Sequence, residues 1–114
     1  MPVELRETLD RLRERLSRAS TRADRLRAAL PDIAWRLREK FGVTDVILFG
    51  SLATRRHIHE SSDVDLAVRG LPIALQAEAW AELEGELRAP VDLIDLDTVP
   101  QSLVDRIRDE GIPL

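Results

Sequence analysis

From Leu5 onward, apolar residues return at alternating steps of four and three: Leu5, Leu9, Leu12, Leu16, Ala19, Ala23, Leu26 and Leu30. That spacing is the a/d stripe of a heptad helix, sustained over more than three repeats. Ser20 and Thr21 fall in mid-stripe and suit a helix start, so one long helix and a helix pair both satisfy the pattern. Pro31 is tolerated best in a first helical turn and predicts an interruption there. A further helix then carries Ile33, Leu37 and Phe41 on its apolar face and stops at Gly42.

Beyond Gly42 the period changes. Residues 44–50, TDVILFG, form a β-branched and aromatic run short enough for a buried strand, closed by Gly50. Residues 63–68 read as a second strand, ended by Arg69, Gly70 and Pro72. Residues 75–87 return to helical spacing through Ala79, Trp80, Leu83 and Leu87. PVDLIDLD at 90–97 gives a third strand, and 101–110 a last short helix before Gly111. Strands alternating with helices predict an α/β (α+β) fold: a small mixed β-sheet flanked by helices, with an extra N-terminal heptad helix.

At 114 residues the chain is the size of one domain. Its 44% hydrophobic and 33% charged residues are those of a soluble globular protein, and no apolar run is long enough to cross a bilayer. The charged N-terminus has no signal-peptide pattern, and the absence of cysteine removes disulfides and thiolate metal sites, so a cytoplasmic location is expected. Charge is unevenly distributed: residues 1–40 carry a balance of +4 and residues 41–114 one of −8. The basic half interleaves its charges at helical spacing, as in Glu7 with Arg11 and Glu14 with Arg18, and reads as a solvated helix face. The acidic half would repel a phosphate backbone, so direct nucleic-acid binding is not expected.

The chemistry concentrates in LFGSLATRRHIHESSDVDLAV, residues 48–68. Asp63 and Asp65 are two apart on a strand, so their carboxylates share a face and repel unless a cation lies between them. Such an oxygen pair is half of a site for Mg²⁺, which completes its shell with waters and substrate phosphates. Gly50 and Ser51 add a turn without a Cβ, with backbone N–H groups and a hydroxyl to offer a phosphate. Carboxylates for a metal and a turn for phosphate, on neighbouring strands, are the parts of phosphoryl or nucleotidyl transfer. In the loop between them, Arg55 and Arg56 are candidates to neutralise phosphate charge or to face solvent, and His57 and His59 read as surface residues.

LFGS followed by SDVDLAV resembles the signature of the minimal nucleotidyltransferases (MNT) of the polymerase-β-like superfamily: Gly-Ser, about ten residues, then Asp-x-Asp. The resemblance runs from about Asp32 to Leu114 and includes the PVDLIDLD strand and the DRIRDEGIPL tail. It implies the nucleotidyltransferase fold for residues 31–114, with residues 1–30 as an amphipathic helical extension. It assigns Gly50 and Ser51 to the nucleotide phosphates, and Asp63, Asp65 and Asp92 to catalysis and to one or two Mg²⁺ ions. Asp92 and Asp95 are three apart and face opposite sides of the sheet, so only one can join Asp63 and Asp65; Asp92 carries the family's Val-Asp-Leu context, and Asp95 reads as a strand residue reaching a helix terminus or solvent. Two features depart from the family: 11 residues separate Ser51 from Asp63, and Thr54-Arg55 stands where Arg-Gly often follows the turn.

Stand-alone MNT proteins are typically antitoxins that transfer AMP from ATP to a tyrosine hydroxyl of a helical HEPN-type RNase toxin, and the resemblance implies that function here. A binding antitoxin with a degenerate site, a transferase acting on a small molecule, and a heptad-mediated dimer are the alternatives. The stripe at residues 1–30 is expected to lie against the domain, a second copy or a partner helix, because a lone heptad helix cannot bury itself.

Overall fold

In the computed structural model, which describes residues 1–55 and 63–114, the heptad stripe forms one helix, α1 (Val3–Phe41). The interruption expected at Pro31 does not occur. Pro31 has no N–H, so the carbonyl of Arg27 one turn earlier loses its ladder donor. The helix continues because Leu26, Leu30, Ile33, Ala34 and Leu37, on both sides of the proline, are all buried against the domain, while Pro31 itself is exposed. At the far end Gly42 adopts φ 74°, and the N–H groups of Gly42 and Val43 turn back to the carbonyls of Arg38 and Leu37.

The remaining elements are β1 (Asp45–Phe49), α2 (Ser51–Thr54), β2 (Val64–Arg69), a 3-10 turn (Ile73–Leu75), α3 (Gln76–Leu87), β3 (Val91–Asp95), α4 (Gln101–Glu110) and β4 (Ile112–Pro113). The sheet order is β3-β2-β1-β4, with β1 antiparallel to β2 and β4, and β2 parallel to β3. The mixed sheet expected from the strand and helix order is therefore present. The short edge strand β4 carries no strand signal in the sequence and includes a proline, which an edge tolerates.

Alternation along the strands divides the core in two. Val46, Leu48, Val64, Leu66, Val68 and Val91 pack against α1 and α3, where Ala23, Leu26, Leu30, Leu37, Ala79, Leu83 and Leu87 meet them. Ile47 and Ala67 point the other way, to Leu96, Val104 and Ile107, with Phe49 at the margin. The heptad stripe is thus core from Ala23 onward, and no residue of α1 before Ala19 is buried. Among the described residues no helix is long and apolar enough to cross a membrane.

The two halves of α1 should respond differently to truncation. Leu26→Ala or Leu30→Ala should destabilise the chain by about 2–5 kcal/mol in urea unfolding, whereas Leu12→Ala should change stability by less than about 0.5 kcal/mol. Equal losses at all three would mean that the whole stripe is core.

Candidate active site

Asp63 immediately precedes β2 and Asp65 is the second residue of that strand, so their side chains share a sheet face. Register places a third carboxylate beside them: Asp65 pairs with Asp92 on the parallel strand β3, at the usual interstrand spacing of about 4.8 Å. On its other side Asp65 pairs with Phe49, which sets all three aspartates on the α4 side of the sheet, at the end where β1 leads into α2. Asp63 and Asp92 are exposed and Asp65 is half-buried. Burial first, then the charges of Asp92 and Asp63, push the Asp65 carboxyl up from 3.8 to about 6.

Asp95 does not join this group. It pairs with Val68 and so lies on the main-core face. There its Oδ2 accepts a hydrogen bond from Gln76 Nε2 at 3.1 Å, and its Oδ1 one from the Asp97 N–H at 2.9 Å. These bonds shape the turn that ends β3.

Gly50 has φ 71° and ψ −156°, and a Cβ at this position would run into the Asp65 carboxylate. Its lack of a side chain is therefore required by Asp65 as well as by any phosphate approaching the backbone. Ser51 opens α2; the N–H groups of Ala53 and Thr54 turn back to the Gly50 carbonyl, so the first-turn donors left for a phosphate are those of Ser51 and Leu52. α2 ends at Arg55, which is exposed and takes the left-handed φ of 59°. This is the position at which the family pattern often carries glycine, so the arginine occupies a backbone conformation that suits glycine better. Arg56, His57 and His59 lie outside the described residues.

Three supporting residues were not singled out by sequence reasoning. Arg27 of α1 donates from Nε to the carbonyl of Leu52 at 3.0 Å and from Nη1 to Asp24 at 3.4 Å, bracing α2 from behind, while its buried Nη2 has no hydrogen-bond partner among the described residues. Trp80 and Glu84, one turn apart on α3, grip the first residue of β3: the indole Nε1 donates to the Val91 carbonyl at 2.6 Å, and Glu84 Oε2 accepts from the Val91 N–H at 3.0 Å. Because Val91 directly precedes Asp92, this pair sets the height at which Asp92 meets Asp65. No local sequence signal marks them; Trp80 reads only as part of an apolar helix face.

Three carboxylates on one face, one of them pushed up by burial and then by its neighbours' charges, form a hard-oxygen donor set of the kind that suits Mg²⁺. Among the described residues no three acidic or histidine side chains already converge on a common point, so a cation would have to draw them together.

The family profile described as polymerase beta, nucleotidyltransferase, matches residues 32–114. Among solved structures, one described as a minimal nucleotidyltransferase is 32% identical, with a TM-score of 0.69 over 81% of this chain and 95% of that chain. A toxin-antitoxin structure with AMP-PNP is 25% identical, with a TM-score of 0.61 over 72% of this chain and 69% of that one. A chain of the complex of tri-AMPylated Shewanella oneidensis HEPN toxin with MNT antitoxin shares the fold at 21% identity and a TM-score of 0.50, over 83% of this chain and 70% of that one. No match was found among curated proteins.

The crowding of Asp65 has a measurable consequence. Its folded-state value lies above the usual 3.8, so its ionisation opposes folding: the effect is absent where the carboxyl is protonated in both states, grows as pH rises from about 4, and is complete above about 6. In EDTA the melting temperature should therefore fall as pH rises across that interval. Asp65→Asn should flatten this decline and raise the melting temperature at neutral pH. A less stable Asp65→Asn protein at neutral pH would show that the carboxylate is not under strain.

Proposed function

This chain belongs to the polymerase β nucleotidyltransferase family, and on that premise we propose that it is a Mg²⁺-dependent protein adenylyltransferase. In this reading it is the antitoxin of a HEPN/MNT pair and transfers AMP from ATP to a tyrosine hydroxyl of its helical toxin. The observation that carries the catalytic part is the register of β2 and β3, which sets Asp65 beside Asp92 with Asp63 on the same face and Gly50 against them. The partner assignment draws on the neighbours, of which one is a toxin-antitoxin structure with AMP-PNP.

In the reaction, the acceptor oxygen forms a bond to the α-phosphorus, the bond from that phosphorus to the bridging oxygen breaks, and pyrophosphate leaves with the electron pair. Ser51 and the N–H groups that open α2 hold the departing phosphates. Asp63 and Asp65 would hold Mg²⁺, whose positive charge neutralises the triphosphate. Asp92 either completes cation binding or accepts the proton of the acceptor hydroxyl. No covalent enzyme intermediate is required, and the acceleration rests on positioning and charge.

The altered segment after Ser51, with Arg55 in a backbone conformation suited to glycine, favours a second reading in which the chain binds its toxin without modifying it. The test is to incubate the protein with ATP, Mg²⁺ and the helical protein encoded beside it, and to measure intact masses. Addition of AMP to the partner is expected; a stable complex without any mass change would select the binding antitoxin. Asp63→Asn, Asp65→Asn and Asp92→Asn should each lower transfer by roughly 100-fold or more. Asp95→Asn should remain close to wild type, because the amide Oδ1 can still accept from the Asp97 N–H while its Nδ2 donates to the Oε1 of a turned Gln76 amide. Loss at Asp95 with retention at Asp92 would overturn the assignment.

A further inference from the structure

The first half of α1 displays a stripe that none of the described residues covers. Leu5 is 48% exposed, Leu12 49% and Leu16 58%, although they continue the same a/d pattern that is fully buried from Ala23 onward. At 1.5 Å per residue a 39-residue helix is about 58 Å long, which is the length of the whole molecule's longest axis. The exposed half therefore projects beyond the domain as an apolar surface.

The charges bordering this stripe are sorted. With the leucines at positions a and d, the flanking e and g positions up to residue 15 are Arg6, Thr8, Arg13 and Arg15, none of them acidic. All four acids of this segment, Glu4, Glu7, Asp10 and Glu14, occupy the b, c and f positions away from the seam. In a coiled-coil contact the e and g side chains meet those of the opposing helix and set partner choice. A second copy of this chain would offer them no acid. Aligned in parallel, Arg13 and Arg15 would face the partner's Thr8 and the partner's Ser20; aligned antiparallel, arginine would meet arginine. Nucleic acid would answer the charge but leave the leucines in water.

We propose that residues 3–18 are a docking helix for a partner protein, and that the surface they bind is a helix whose own apolar stripe is edged with Asp and Glu. The apolar seam supplies contact area, and the arginine borders select acidic-edged partners over self-association. The inference does not depend on catalysis, since no proposed active-site residue lies in α1.

The full chain can be tested with two labelled amphipathic peptides of about four heptads, both with Leu at a and d, one with Glu at every e and g and the other with Lys. By sedimentation the protein alone should be monomeric. By fluorescence anisotropy, without ATP or Mg²⁺, it should bind the Glu-edged peptide at least about tenfold more tightly than the Lys-edged one. The double variant Leu12→Ser, Leu16→Ser should lose most of that binding, and Arg13→Glu with Arg15→Glu should reverse the preference. These positions are exposed, so the fold is not at risk. A dimer that the leucine substitutions dissolve would show that the occupant is a second copy. Equal binding of the two peptides, or binding of a single-stranded RNA that the leucine variant leaves unchanged, would equally overturn the proposal.

Discussion

Like charge at the ends of two parallel strands is the constraint on which the rest of this structure depends. Asp65 is half-buried, has Asp92 beside it in register and Asp63 on the same face, and its carboxyl is pushed up to about 6. Left alone, such a cluster works against folding; its natural complement is positive charge brought by a cation and the polyphosphate it carries. The strain and the proposed function are thus the same feature viewed without and with a ligand.

The fold holds that cluster in place from the opposite side. Strand residues alternate, so the face away from the aspartates supplies Val64, Leu66, Val68 and Val91 to the core under α1 and α3. Moving β2 or β3 by one residue would take those apolar side chains out of the main core and turn aspartates into it, which locks the register that pairs Asp65 with Asp92. Trp80 and Glu84 then fix both backbone groups of Val91, and Arg27 reaches from α1 to α2. Gly50 completes the arrangement by leaving room for the Asp65 carboxylate where a side chain would displace it. The resemblance begins at about Asp32, yet α1 contributes to this scaffold from Ala23, so the helix serves the domain and its exposed half at once.

Much of this was legible in the sequence because the signals are local. The strands at residues 44–50, 63–68 and 90–97 and the helices between them follow from periodicity and turn residues, and the opposite facing of Asp92 and Asp95 follows from their spacing alone. Pro31 misled because its local cost is outweighed by the burial of Leu26, Leu30, Ile33 and Leu37 around it, a tertiary effect with no sequence mark. The strand β4 was missed since two residues ending in proline carry no propensity and are recruited by the exposed edge of β1. Trp80, Glu84 and Arg27 act through long-range backbone contacts that no spacing rule reveals. No contact among the described residues explains why Arg55 stands where glycine would be more comfortable.

The central claim is that the aspartate cluster and the Gly50-Ser51 turn bind a divalent cation and a nucleoside triphosphate as one unit. Titration of Mn²⁺, followed by electron paramagnetic resonance in the presence and absence of an ATP analogue with a methylene between the α and β phosphorus atoms, tests it most directly. The account predicts that analogue and metal each tighten the other's binding by the same factor, and that Asp65→Asn abolishes the coupling. Nucleotide binding that is indifferent to metal, or coupling that survives in the Asp65→Asn protein, would contradict it.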